Sequence, residues 1–146
     1  MIRAAITAAL ATLASCSHHT TIESCDDQLD GSWNSETGQR WMLIDDHATL
    51  EAYPLFDDTR APAPAGLEIA PRVLDLTRGR LGVDGEMKRR YLRAADACIA
   101  KAPVHVTACR AETLELVLAD PTPPLGFAPC SFGRPEPSRR ERWHRE

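Results

Sequence analysis

Short apolar runs broken by turn residues fill the chain from Asp30 onwards, and this rhythm restricts the fold more than any other feature. Runs of that kind, bounded by Gly, Pro, Asn and Asp, specify β-strands. Gly31-Ser32-Trp33 starts the first, and Ser35-Glu36-Thr37-Gly38 reads as a hairpin turn. Gln39 to Asp45 holds Trp41, Met42, Leu43 and Ile44, a largely apolar strand, and Asp45-Asp46-His47 turns the chain back. Leu50 to Phe56 alternates, which restricts Pro54 to an edge or a bulge. Asp57 to Gly66 is a loop rich in Ala and Pro. Beyond it, Leu67, Ile69 and Val73 share one face while Leu74 and Leu76 share the other; the phase change near Pro71 predicts a bulge. Gly79, Gly82 and Gly85 punctuate turns.

Residues 87–102 carry two patterns. Met87, Tyr91, Ala94, Ala95, Cys98, Ile99 and Ala102 follow helical spacing, and Pro103 would end such a helix. Because Val104 to Ala108 and Thr113 to Leu118 are strand-like, we read the stretch as a strand entering a hairpin whose tip is Ala102-Pro103, with one helix as the alternative. Pro121, Pro123 and Pro124 end the last clear strand. Residues 133–146 form either a polar tail or a final strand centred on Trp143. The expected fold is therefore mainly β, a small antiparallel β-barrel or sandwich, with one β-rich domain over residues 25–132.

The first residues follow different rules. Met1-Ile2-Arg3 is followed by a charge-free run from Ala4 to Ser15. That run is too short for a permanent span, which takes about 20 residues, and it matches the apolar segment of a secretion signal covering residues 1–15. It ends in Leu13-Ala14-Ser15-Cys16, which resembles the lipobox of bacterial lipoproteins. The resemblance implies a diacylglyceryl group on the Cys16 sulfur, cleavage before Cys16, and acylation (palmitate or a similar chain) of the new amino terminus. Several acyl chains exceed the two-signal threshold for stable membrane anchoring. Ser17 follows the cysteine where an aspartate would signal inner-membrane retention in that family. The resemblance thus implies a cell-envelope protein, at the outer membrane facing the periplasm or the surface rather than at the inner membrane. Residues 16–24 are the lipidated cysteine and a polar tether, and the His18-His19 pair has no third ligand at metal spacing.

Assigning Cys16 to lipid leaves Cys25, Cys98, Cys109 and Cys130, an even set in an oxidising compartment. Of the three connectivities, the expected one is Cys98–Cys109 across the hairpin, with Cys25–Cys130 joining the ends of the domain. No C-x-x-C spacing suggests a redox or zinc site.

Function classes narrow mainly by exclusion. The net charge is -4, and loss of Arg3 with the leader leaves 16 basic against 21 acidic residues, or -5, which argues against a nucleic-acid partner. Neither G-x-S-x-G nor H-E-x-x-H occurs, and the Gly79/Gly82/Gly85 run lacks the features of a phosphate cradle. The acidic pairs Asp26-Asp27, Asp45-Asp46 and Asp57-Asp58 fall in loops without calcium-loop spacing, and His47 and His105 have no evident catalytic partner. We expect no enzyme, no cofactor and no catalytic or metal residues.

Gly31-Ser32-Trp33 at the start of the domain resembles the G-x-W of lipocalin/calycin barrels. That resemblance implies that Trp33 plugs the barrel base and that an arginine near the C-terminus (Arg139, Arg140 or Arg142) packs over it. The family's T-D-Y element is absent from this chain. Two expectations follow. The first is a lipid-anchored module that binds an envelope ligand or protein, with a cavity lined by residues such as Leu43, Leu50, Phe56, Leu74 and Leu116. The second is a structural or interaction lipoprotein with a filled core and no ligand pocket.

Overall fold

A computed structural model describes Cys25 and residues 27–56, 63–80 and 82–146. The leader, Cys16, the tether with His18-His19, Asp26 and the Asp57-Asp58 pair lie outside the described residues. Among the described residues every regular element is a strand: β1 (Gly31–Ser35), β2 (Arg40–Asp45), β3 (Thr49–Pro54), β4 (Leu67–Ile69), β5 (Val73–Gly79), β6 (Gly82–Arg93), β7 (Asp96–Arg110), β8 (Thr113–Leu118), β9 (Pro124–Phe127), β10 (Cys130–Phe132) and β11 (Arg139–Arg145).

Eight of these strands close into an antiparallel barrel, in the order β6-β5-β3-β2-β1-β11-β8-β7, with β7 pairing back onto β6. Closure removes the exposed edges that an open sheet of this size would present. Alternation then sorts the side chains. Trp33, Trp41, Leu43, Leu50, Ala52, Leu74, Leu76, Met87, Val104, Val106, Leu114, Leu116, Leu118 and Trp143 form one buried cluster inside. Outside, opposite charges face one another across neighbouring strands, as in Arg142 with Glu115 at 2.6 Å and Lys88 with Asp75 at 2.5 Å.

The phase change at Pro71 is a bulge. From the Ile69↔Tyr91 pair to the Val73↔Lys88 pair the chain advances four residues on one strand and three on β6. One extra residue flips the inward set, so Leu74 and Leu76 enter the core. Gly85 is not a turn residue as its spacing suggests. It lies within β6, where a Cβ would sit 2.0 Å from the Asp75 carbonyl oxygen. Only glycine permits that approach of β5 to β6, a tight corner in the barrel wall.

Residues 87–102 are not helical but run from β6 through a turn into β7, and the hairpin tip is not Ala102-Pro103. It is Ala94-Ala95, between Arg93 and Asp96. Ala94 adopts φ 54°, the left-handed conformation that a two-residue hairpin loop demands at its first position. Pro103 therefore lies inside β7 opposite Glu86, and β8 pairs with β7 only from Val104 on, so no ladder is lost on that edge. The upper parts of β6 and β7 extend beyond the barrel as a two-stranded arm, flanked by β4. The segment from Ala119 to Phe127 crosses the arm's inner face, and the Tyr91 hydroxyl donates to the Pro121 carbonyl at 3.0 Å. The small β9–β10 hairpin also packs here, through contacts of β9 with β7.

Moving the hairpin tip overturns the expected disulfides. Cys98 and Cys109 stand eleven residues apart on one strand, roughly 36 Å at strand rise, and cannot bridge. The bridges are Cys25–Cys109, Cα atoms 5.1 Å apart, and Cys98–Cys130, 5.7 Å apart. The first fastens the start of the domain to the barrel base. The second fastens the β9–β10 hairpin to the arm at the other end. Residues 139–145 form β11, and Trp143 is fully buried, so the C-terminal stretch is a barrel strand.

Candidate functional site at the barrel mouth

The base is closed by structure-building contacts. Trp33 is fully buried and donates its indole N–H to the Leu29 carbonyl at 2.9 Å. The arginine over its ring is Arg145, with Cζ 5.7 Å from the ring centroid, not Arg139, Arg140 or Arg142. Strand parity explains the correction. Arg140 and Arg142 alternate outwards from Trp143, and Arg139 shares the inward face but lies at the mouth end of β11. Arg145 also donates to the carbonyls of Asp30 and Ala111, tying the C-terminus across the base. Gly31 lies beside the Arg145 guanidinium at φ 122°, a conformation that favours glycine.

Beside this plug, the Asp45 carboxylate has no exposed side-chain surface and binds Arg78. It also accepts the backbone N–H groups of Leu29 at 2.8 Å and His47 at 2.9 Å. The second member of the acidic pair, Asp46, accepts from Ala48 and Thr49, and these backbone bonds hold its carboxyl below the usual range. This pair shapes a turn. Of the two candidate histidines, His47 occupies that turn at φ 70°, and His105 lies on the outer wall paired with Asp84 directly opposite on β6. Among the described residues no cluster of three His, Cys, Asp or Glu side chains could hold a metal ion.

The mouth is chemically richer. Beneath it, Trp41, the cross-strand partner of Trp33, stacks on Trp143 with ring centroids 4.9 Å apart and planes at 16°. From this pair a chain of polar contacts runs around the rim. Trp143 Nε1 donates to Glu141 Oε2 at 3.1 Å, and Arg139 Nε donates to Glu141 Oε1 at 2.8 Å. Arg139 Nη1 donates to Asp120 Oδ2 at 2.6 Å, and Arg72 Nη1 donates to Asp120 Oδ1 at 2.8 Å. The Arg72 guanidinium then lies over Trp41, 5.6 Å from its centroid, which closes the ring.

Burial alone would push the Asp120 carboxyl up, but the hydrogen bonds from Arg139 and Arg72 outweigh it and hold the group below its ordinary value. Glu141 is buried too, and it is acceptable there because Arg139 and the Trp143 indole occupy its oxygens. The ring has one incomplete sector. Trp41 Nε1 and Arg72 Nε are buried without a hydrogen-bond partner among the described residues. Each such donor costs about 1–3 kcal/mol.

Below the ring the barrel is packed. Leu43, Leu50, Leu74 and Leu116, expected to line a cavity, are core residues with exposures of 3% or less, and Phe56 stands outside at 69%. The openings bordered by Gly66, Leu67, Glu68, Leu92 and Ala94 (about 320 Å³) and by Thr77, Gly79, Arg80, Gly82 and Asp84 (about 400 Å³) are open to solvent; neither enters the core. On the outer wall, Ile44, Tyr53, Leu55 and Phe56 form an exposed apolar strip on β2, β3 and the residues just after. No family model, curated protein or solved structure matches the chain.

Proposed function

We propose that the chain is a lipid-anchored cell-envelope protein, not an enzyme, whose barrel is a binding module working at its rim and outer wall. The observation that carries the anchoring is the cysteine inventory. Four cysteines are consumed by two disulfides, and the remaining one, Cys16, ends the lipobox-like run. Disulfides of this kind belong to oxidising compartments, where an exported lipoprotein resides. Cys25 lies nine positions after Cys16, a reach of at most about 30 Å. The bridge to Cys109 fastens that entry point at the base, so in this reading the mouth faces away from the bilayer.

The packed interior argues for contacts at the rim rather than for an apolar cargo held deep in the barrel. The arrangement of Arg145 over Trp33 supports a likeness to the calycin barrels in construction, without their cup. A second reading, an interaction lipoprotein with no ligand site, is favoured by the exposed strip around Tyr53 and Phe56.

Mass spectrometry of membrane-fraction protein tests the anchor. The expected product begins at Cys16 and carries acyl chains, and Cys16→Ser abolishes both the mass increment and membrane retention. A soluble, unmodified chain retaining Met1 refutes the reading.

A further inference from the structure

We propose that the incomplete sector of the mouth ring is a binding site for a small monocarboxylate, received by the indole N–H of Trp41 and the Nε–H of Arg72. The inference deepens the binding half of the reading above and is independent of the anchor.

The donors of the ring are unevenly used. Arg139 commits Nη1 to Asp120 and both Nε and Nη2 to Glu141. Trp143 commits its indole N–H to the same Glu141. Arg72 places one bond on a carboxylate it shares with Arg139, and its Nε, although buried, donates to no described residue. Beside it, Trp41 is only 2% exposed and its indole N–H is likewise unpartnered. Two buried donors on touching side chains, one of them cationic, call for an acceptor of negative charge.

Charge limits that acceptor. The ring holds two arginines and two carboxylates and is neutral as it stands, and Arg72 is the cation in it that keeps an unpartnered donor. A single negative charge can be accommodated there, whereas a phosphate dianion would meet Asp120 and Glu141 with too little compensation. A carboxylate presents two acceptor oxygens, one for each of the two donors. The two donor atoms lie beneath a rim that is partly open, Arg72, Asp120 and Arg139 keeping 20%, 28% and 38% of their side chains exposed, so a ligand reaches them by displacing rim side chains. The packed aliphatic core beneath the tryptophans limits the ligand to a short tail.

The three indole N–H groups give the test, because Trp33 and Trp143 are already bonded to protein acceptors. Acetate is titrated into the 15N-labelled full chain at constant ionic strength, with chloride as the control. The expected result is a saturable shift of the Trp41 indole resonance, with those of Trp33 and Trp143 nearly unmoved. Arg72→Lys, which keeps the charge but loses the Nε–H, weakens binding about ten- to a hundredfold. Trp41→Phe removes the reporting resonance, and its acetate affinity by calorimetry falls similarly. A Trp41 resonance that does not move, that moves without saturating, or that moves equally with chloride overturns the proposal and leaves ordered water as the only occupant. An Arg72→Lys chain that binds acetate as tightly as the parent also overturns it.

Discussion

Replacing each disulfide separately by alanine pairs separates two different mechanical roles. Cys25–Cys109 closes a separation of 84 residues, and Cys98–Cys130 one of 32. In the chain-entropy treatment these closures stabilise by about 4.6 and 3.7 kcal/mol. The first value applies to the whole domain, because Cys25 packs against the main core and Cys109 belongs to it. The second bridge holds a two-stranded sheet that shares no backbone ladder with the barrel. Cys25→Ala/Cys109→Ala should therefore lower the urea-derived stability by about 4–5 kcal/mol, a large share of the total for a domain of this size. Cys98→Ala/Cys130→Ala should lose about 3–4 kcal/mol. The second pair should also release the amides of β9 and β10 to rapid hydrogen exchange while the barrel amides keep their relative order of protection. The two loops overlap between Cys98 and Cys109, so the quadruple variant should lose less than the sum. Peptide mapping of the oxidised chain is the direct check. A Cys98–Cys109 peptide, or a β9–β10 hairpin that stays protected without its bridge, would refute the reasoning.

Two further perturbations test the charged groups. Asp45→Asn removes the charge partner of a largely buried arginine, so denaturant unfolding should show a loss of about 3–5 kcal/mol; a loss under about 1 kcal/mol would contradict the buried pairing. Asp120 has its pKa lowered in the folded state, so its contribution is complete above the unfolded-state value near 3.9 and disappears as pH falls through the folded value. Stability measured below about pH 4 should fall less steeply in Asp120→Asn, by up to one proton's share, about 1.4 kcal/mol per pH unit. An unchanged acid limb would mean that the Arg72–Asp120–Arg139 bridge is not formed in solution.

The parts of the fold that were legible in the sequence are those where burial dictates the pattern. Trp41 to Ile44 reads as a strand because it is a short apolar run bounded by turn residues, and the slip of phase at Pro71 is visible because a bulge exchanges the two faces. Trp143 points to a final strand, although the polar composition of residues 133–146 leaves a tail as the alternative. The hairpin tip at Ala94-Ala95 left no such trace. Turns are usually betrayed by glycine or asparagine at positive φ, and here alanine adopts that conformation because the long ladder between β6 and β7 enforces it. That one silent turn also misdirected the cysteines, since placing the tip eight residues too late put Cys98 and Cys109 on facing strands.

The base and the mouth differ in the same way. Arg145 could have been chosen over Arg140 and Arg142 from parity alone, since it lies two residues beyond Trp143 and shares its face. Glu141 carries that signal as well: an acid on the inward face of a strand needs a cationic partner, and Arg139 is two positions away. Arg72 and Asp120 carry none. Both lie just outside their strands, 48 residues apart, and meet only because the barrel closes and brings the start of β5 across the rim from the end of β8. The donors that define the candidate site therefore follow from closure. Strand periodicity specifies closure only collectively, through the joint register of eight strands.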